Sequence, residues 1–218
     1  MLFGEPTKKG AGLILWGDYM DLTNLYDTIS HISDSSVLSG EMSDYVLGLN
    51  YDIRHAFQGM RESKEFGDDQ IIKAKYFGEK ILWPHFVIQV GLLRWGAGFT
   101  ETNSEHQSNL FRLENILERS LRVIAPNIVD ESLLWLKSFH GFTKEFHIQF
   151  LDEITYRFIY DMSLGKKRVI RLPILLKMCS ELSPQYRLFE EEFQKIAGEK
   201  GCHPSALIGS YEWPEFEW

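Results

Sequence analysis

Arg94 stands alone as a charge among Phe86, Val87, Ile88, Val90, Leu92, Leu93 and Trp95. A buried guanidinium needs a carboxylate or backbone carbonyls as partners. Further along, Leu110, Leu113, Leu117 and Leu121 form a helical stripe. Traced backwards by helical steps, that stripe reaches His106 and Asn103, so its inner face turns polar at the N-terminal end. Helix N-termini favour anions. Arg94, Asn103, His106 and Asn109 are therefore candidates to line a small anion-accepting pocket. They fit equally a satisfied hydrogen-bond cluster fixing a tight connection, the usual role of polar clusters without a motif.

Asp52 and His55 form a candidate acid–base pair. Three residues apart on a helix, they can touch, and a carboxylate orienting an imidazole is a unit of proton-transfer chemistry. Arg54 lies between them. No Ser or Cys is tied to the pair as a nucleophile, so structural pairing is the competing reading. Asp18 and Asp21 sit near a strand-to-helix turn. Two acids there can bind a cation, but a capping role for one and exposure of the other explain them as well. His140 and His147 match no metal-ligand spacing.

The stronger signatures are absent. There is no phosphate loop, dinucleotide glycine pattern, His-Glu-x-x-His or Gly-x-Ser-x-Gly. The two cysteines, Cys179 and Cys202, supply neither a disulfide framework nor a metal set, and Cys179 reads as a core residue. No catalytic residue is assigned, and no cofactor or metal is expected. The formal net charge of −8 gains nothing from counterion release, so nucleic acid is not an expected partner. The basic cluster Lys166, Lys167, Arg168 and Arg171 reads as a solvated loop. No signal peptide or apolar run of about 20 residues is present, so no membrane association is expected and the cytoplasm is the expected compartment.

The elements that must position these residues centre on one helix. Pro84 suits a first helical turn, and from Phe86 to Trp95 almost every position is apolar. A helix apolar all round must be covered all round. Residues 11–16 read as a strand; 73–82 fits strand or helix, and as a strand or a hairpin bending at Gly78 it could join residues 11–16. Asp18 caps a helix over 20–32. Residues 42–65 carry a stripe of Met42, Val46, Leu49, Ile53, Phe57 and Met60, closed by Gly67, Asp68 and Asp69. Thr102 with Glu105, or Ser104 with Gln107, fits a capping box for the helix that ends at Pro126.

Short helices follow over 130–139, with Leu133, Leu134 and Leu136, and over 143–162, with Phe146, Phe150, Ile154 and Phe158 inside and Glu153 pairing Arg157. Residues 169–172 read as a brief strand and 172–182 as helical. Ser183-Pro184 starts a last helix closed by Gly198. With 44% hydrophobic and 25% charged residues, the expected architecture is mainly α with a small β-sheet (α+β). It is a single globular domain, 1–218, packed around the central helix near Pro84 and Trp95.

The tail alternates Trp213, Phe216 and Trp218 with acids. Large aromatics in a terminus imply burial on the chain itself or on a partner, which makes these three the candidate partner-binding residues. Gly12 to Tyr26 (GLILWGDYMDLTNLY), Gly78 to Phe99 (GEKILWPHFVIQVGLLRWGAGF) and the WPEFEW ending resemble a bacterial family of uncharacterised proteins. The resemblance implies a bacterial cytosolic protein and carries no activity or site residue. The first reading is a non-enzymatic protein acting through protein–protein contact, inhibitor-like, immunity-like or an accessory subunit, with a basic partner. The alternative is an enzyme acting on a small anionic or phosphate-bearing substrate near Arg94 and His106. A concave pocket with convergent polar groups favours the second; a flat acidic face flanked by exposed aromatics favours the first.

Overall fold

The computed structural model describes residues 1–34, 37–38, 40–66, 73–142, 147–160, 162–207 and 213–218. Four strands form one antiparallel sheet in the order β1-β2-β4-β3: β1 Phe3–Pro6, β2 Gly12–Gly17, β3 Glu62–Phe66 and β4 Ala74–Leu82. The expected pairing of 11–16 with 73–82 is present, with Gly12 opposite Leu82 and Trp16 opposite Gly78. β4 runs straight through Gly78, not bending there. Leu13 and Leu15 point into the core, fully buried.

β1 and β3 were not legible. β1 is four residues long and holds Gly4 and Pro6. β3, with sequence ESKEF, carries polar residues on both faces of an edge strand, where solvent rather than packing sets composition. The helix expected over 42–65 is α2, Glu41–Phe57. It stops eight residues early because Gly59 adopts φ 78°, the left-handed conformation that closes a helix. Gly59 N–H donates to Ala56 O at 2.8 Å and Met60 N–H to His55 O at 3.0 Å, the two bonds of a Schellman motif. Met60, expected in the inner stripe, is left exposed. The stop expected at Gly67, Asp68 and Asp69 lies outside the described residues.

α1, Tyr19–Ser33, begins as expected at Asp18. α3, Trp83–Ala97, follows β4 directly, and all of it but His85, Arg94 and Trp95 is buried. α1, α2, α4, α5, α6 and α7 pack around it. α4, Ser104–Ile124, buries Leu110, Leu113, Leu117 and Leu121. Its capping box is Asn103 with His106, not either expected pair, because Asn103 is the residue with extended backbone immediately before the first turn.

After a short 3₁₀ turn at Pro126–Ile128 comes α5, Val129–Ser138, which buries Leu136 but leaves Leu134 exposed. α6, His147–Tyr160, buries Phe150, Ile154 and Phe158, and Glu153 pairs Arg157 at 2.6 Å as expected. The start expected at Thr143, and Phe146 with it, lies outside the described residues. Residues 169–172 form no strand. They continue the 3₁₀ turns of Met162–Arg171 into α7, Leu172–Met178, which ends short of 182. α8, Pro184–Lys200, starts at Ser183 as expected and runs through Gly198 to a left-handed cap at Gly201.

One continuous apolar cluster takes side chains from β2, β4 and α1 to α8. The tightest backbone approach is at Gly12, where a Cβ atom would stand 1.8 Å from Ile81 O. That contact is with backbone of the paired strand and cannot rotate away. We expect Gly12→Ala to destabilise the chain by about 3 kcal/mol, read as a lower urea midpoint at constant slope. A midpoint within error of the parent would show that β2 and β4 do not approach this closely.

Candidate functional site

Arg94 leaves α3 near its C-terminal end and lies between that helix and α4. Its Nε donates to Glu114 Oε1 at 2.6 Å and its Nη1 to Gln107 Oε1 at 2.8 Å. Gln107 is held in turn, donating to Thr102 Oγ1 at 2.8 Å. The guanidinium carbon lies 4.6 Å from the centre of the Phe111 ring, within cation–π range. Nη2 is buried and donates to no acceptor among the described residues.

Around this guanidinium opens a groove of about 780 Å³, walled by α3, α4 and α5. Its apolar lining comes chiefly from Trp95, Phe99, Phe111 and Phe139, and its charged lining from Arg94, Glu114, Glu118 and Lys137. Phe99 and Phe111 are 63% and 61% exposed. Two exposed aromatic rings thus border one groove, which is informative where a lone exposed leucine is not. Glu118 is engaged by Arg122 at 2.7 Å one helical turn away.

The other residues expected beside Arg94 lie elsewhere. Asn103 Oδ1 accepts from His106 N–H at 2.9 Å in the capping box. The His106 ring stacks on His31 at 4.3 Å between centres, and His31 Nε2 lies 2.7 Å from Glu101 O. Asn109 donates to Thr28 Oγ1 at 2.8 Å and to Asn24 O at 3.2 Å, fastening α4 to α1. One residue step turns a helix by about 100°. Gln107, Phe111 and Glu114 thus face Arg94, whereas His106 and Asn109 face α1. The four candidates do not form one pocket.

Asp52 and His55 do not pair with one another among the described contacts. Asp52 accepts from Arg61 at 3.3 Å, and His55 Nδ1 lies 2.8 Å from Tyr51 O with its ring on the Tyr51 ring. Arg61 also reaches Glu79 at 3.0 Å, so one guanidinium serves two carboxylates. Asp18 and Asp21 make a capping box, against which the Met1 amine rests. His147 is buried between the rings of Phe142 and Tyr186, with Nε2 3.2 Å from Cys179 O. His140 and His147 both border a cavity of about 350 Å³ with Cys179 and Glu181. Burial pushes the Cys179 thiol up to about 12, which favours the thiol over the thiolate. Among the described residues, no three His, Cys, Asp or Glu side chains are grouped to hold a metal ion.

Phe216 and Trp218 pack on the core while Trp213 is 44% exposed. Their anchor is Arg168, read from sequence as part of a solvated cluster. It is buried, and its Nη2 donates to Glu217 O at 2.8 Å and Lys9 O at 3.2 Å. Lys9 N–H donates to Trp218 O at 2.9 Å. A further polar set escaped the sequence reading. Gln89 donates to Tyr45 O at 3.2 Å, and the Tyr45 hydroxyl and His85 Nε2 are buried with no partner among the described residues. Burial holds His85 down at about 4, and burial with Glu41 nearby lifts Asp152 to about 6. The signal was available: His85 and Gln89 are polar interruptions in the central apolar helix.

The fold and groove define an α+β protein with a small antiparallel sheet and a solvent-filled aromatic groove. A family model described as a domain of unknown function (DUF6904) matches residues 2–218, and the chain belongs to that family. No curated protein and no solved structure matches it. Among the described residues, no helix is long and apolar enough to cross a membrane.

Burial and the charge of Asp52 push Glu79 from its ordinary 4.5 up to about 7, against the pull of Arg61. The folded chain then holds a proton that the unfolded chain releases, so stability falls as pH rises from about 4.5 to about 7. Glu79→Gln is expected to flatten that part of the profile in urea titrations across this range. An unchanged slope would assign it to another group.

Proposed function

We propose that this chain is a non-enzymatic bacterial cytosolic protein that binds another protein by docking a segment of it in the groove between α3, α4 and α5. The observation that carries this reading is the pair of exposed rings, Phe99 and Phe111, bordering a concave space with Trp95 and Phe139. Desolvated aromatic anchors supply most of the affinity of protein interfaces. The chain's charge of −8 suits a basic partner, since complementary charge speeds encounter. Arg94 is paired by Glu114 and Glu118 by Arg122, so these charges orient a partner segment rather than attract it. An inhibitor, an immunity-like protein and an accessory subunit all fit this description.

An enzyme acting on a small anion at Arg94 is the second reading. It is favoured by the unpartnered Nη2 and by a volume within the range typical of small-molecule sites, about 300–1,000 Å³. It is disfavoured by Glu114, which already neutralises the guanidinium and would have to be displaced.

The test is affinity capture from a bacterial lysate, comparing the parent with a Phe99→Ala, Phe111→Ala variant that keeps the parent's circular dichroism. Each truncation is expected to cost about 2 kcal/mol, so a specific partner is lost from the variant. Equal recovery by both proteins removes the groove from the interface. Thermal stabilisation by phosphate or a carboxylate, abolished by Arg94→Met, would favour the enzyme instead.

A further inference from the structure

The outer face of the sheet carries a second arrangement, unrelated to the groove. Residues alternate faces along a strand, and the register places Phe3 and Glu5 of β1, Trp16 of β2, Tyr76 of β4, and Lys64 and Phe66 of β3 on one face. Their rings converge. Phe3 and Phe66 lie 5.6 Å apart edge to face, Phe3 and Tyr76 5.7 Å apart, Phe66 and Tyr76 5.0 Å apart, and Phe3 stacks near Trp16 at 6.5 Å. Into this ring set reaches the Lys64 ammonium, 4.1 Å from the centre of Trp16, 4.6 Å from Phe66 and 5.0 Å from Phe3. Glu5 closes it: Oε1 accepts from Lys64 Nζ at 2.7 Å, and Oε2 accepts from the Trp16 indole N–H at 2.8 Å.

Three π faces and one fixed carboxylate are a receptor for a cation. A primary ammonium uses this receptor poorly. It carries three N–H donors, and the cage gives it one acceptor, Glu5. A quaternary ammonium has no N–H to satisfy, sheds its hydration at lower cost and presents methyl groups to every ring. Lys64 is also an occupant that can leave. It sits on an exposed edge strand, its side chain is partly open to water, and its long flexible stem can swing into solvent.

We propose that the outer face of the sheet is a binding site for a quaternary ammonium group, formed by Phe3, Trp16, Phe66 and Glu5, and that Lys64 occupies it as an internal competitor. A tethered competitor lowers apparent affinity without altering the site, because the ligand must first displace it.

The experiment is calorimetric titration of the full chain with tetramethylammonium chloride, using sodium chloride as the ionic-strength control. The parent chain is expected to bind saturably, and Lys64→Ala to bind about tenfold more tightly, because the competitor is gone. Lys64→Met, which keeps the stem, serves if the alanine variant folds poorly. Within the Lys64→Ala background, Phe66→Leu and Glu5→Gln should each weaken binding several-fold. In the parent, the probe should raise the reactivity of Lys64 toward an amine-acetylating reagent, the sign of its displacement. Choline and trimethyllysine, titrated in parallel, separate a free ligand from a modified side chain as the natural source. Absence of saturable binding in both parent and Lys64→Ala overturns the proposal. So does binding by Lys64→Ala alone, which would make Lys64 a permanent part of the sheet face, or binding indifferent to Phe66 and Glu5.

Discussion

The structure depends on the need to cover one helix on every side. α3 carries apolar side chains around its whole circumference, and no part of it tolerates water except the positions of His85, Arg94 and Trp95. Six other helices pack around it. A helix amphipathic in the ordinary way asks only for one packed face. This one asks for a shell, and an α+β fold with an off-centre sheet is how the chain supplies it. The three unburied positions mark where the shell is thin. The groove opens at two of them, Arg94 and Trp95, and at the third the His85 ring meets the Tyr45 ring edge to face.

Much of this is legible in the sequence. α3, its proline start and its burial follow from an uninterrupted apolar run. β2 follows from a short apolar run flanked by glycines, its pairing with the ambiguous stretch 73–82 was one possibility that the sheet contains, and α4 and α8 follow from their stripes and, for α8, its Ser183 cap. What was not legible had physical reasons. β3 is polar on both faces, so no period-2 signal exists to read. α2 ended early because a glycine in the left-handed conformation outweighed a hydrophobic stripe that still reached Met60 in sequence. Arg168 looked like one of four solvated cations, and its burial is fixed by Lys9 and Glu217, far away along the chain.

The candidate site divides in the same way. Arg94 announced itself as the one charge in an apolar helix, and its need for a carboxylate was a sound deduction. Which carboxylate was hidden, because the answer turns on the phase of α4. Gln107 and His106 are adjacent in sequence yet stand about 100° apart around that helix, one turned to Arg94 and the other to α1. The hydrophobic stripe fixes that phase only to within the width of the buried face, and polar residues at its margins fall on either side. The aromatic set on the sheet was out of reach for a different reason, since its members come from four strands and two of those were unseen.

β4 passes into α3 without an intervening loop, Leu82 closing the strand and Trp83 opening the helix. The nine strand residues are all paired, 74–78 with β3 and 77–82 with β2, and the fifteen helical residues have six other helices packed around them. No loop separates the two halves, so one unbroken stretch of backbone carries both Tyr76 of the lysine-filled aromatic face and Arg94 of the groove.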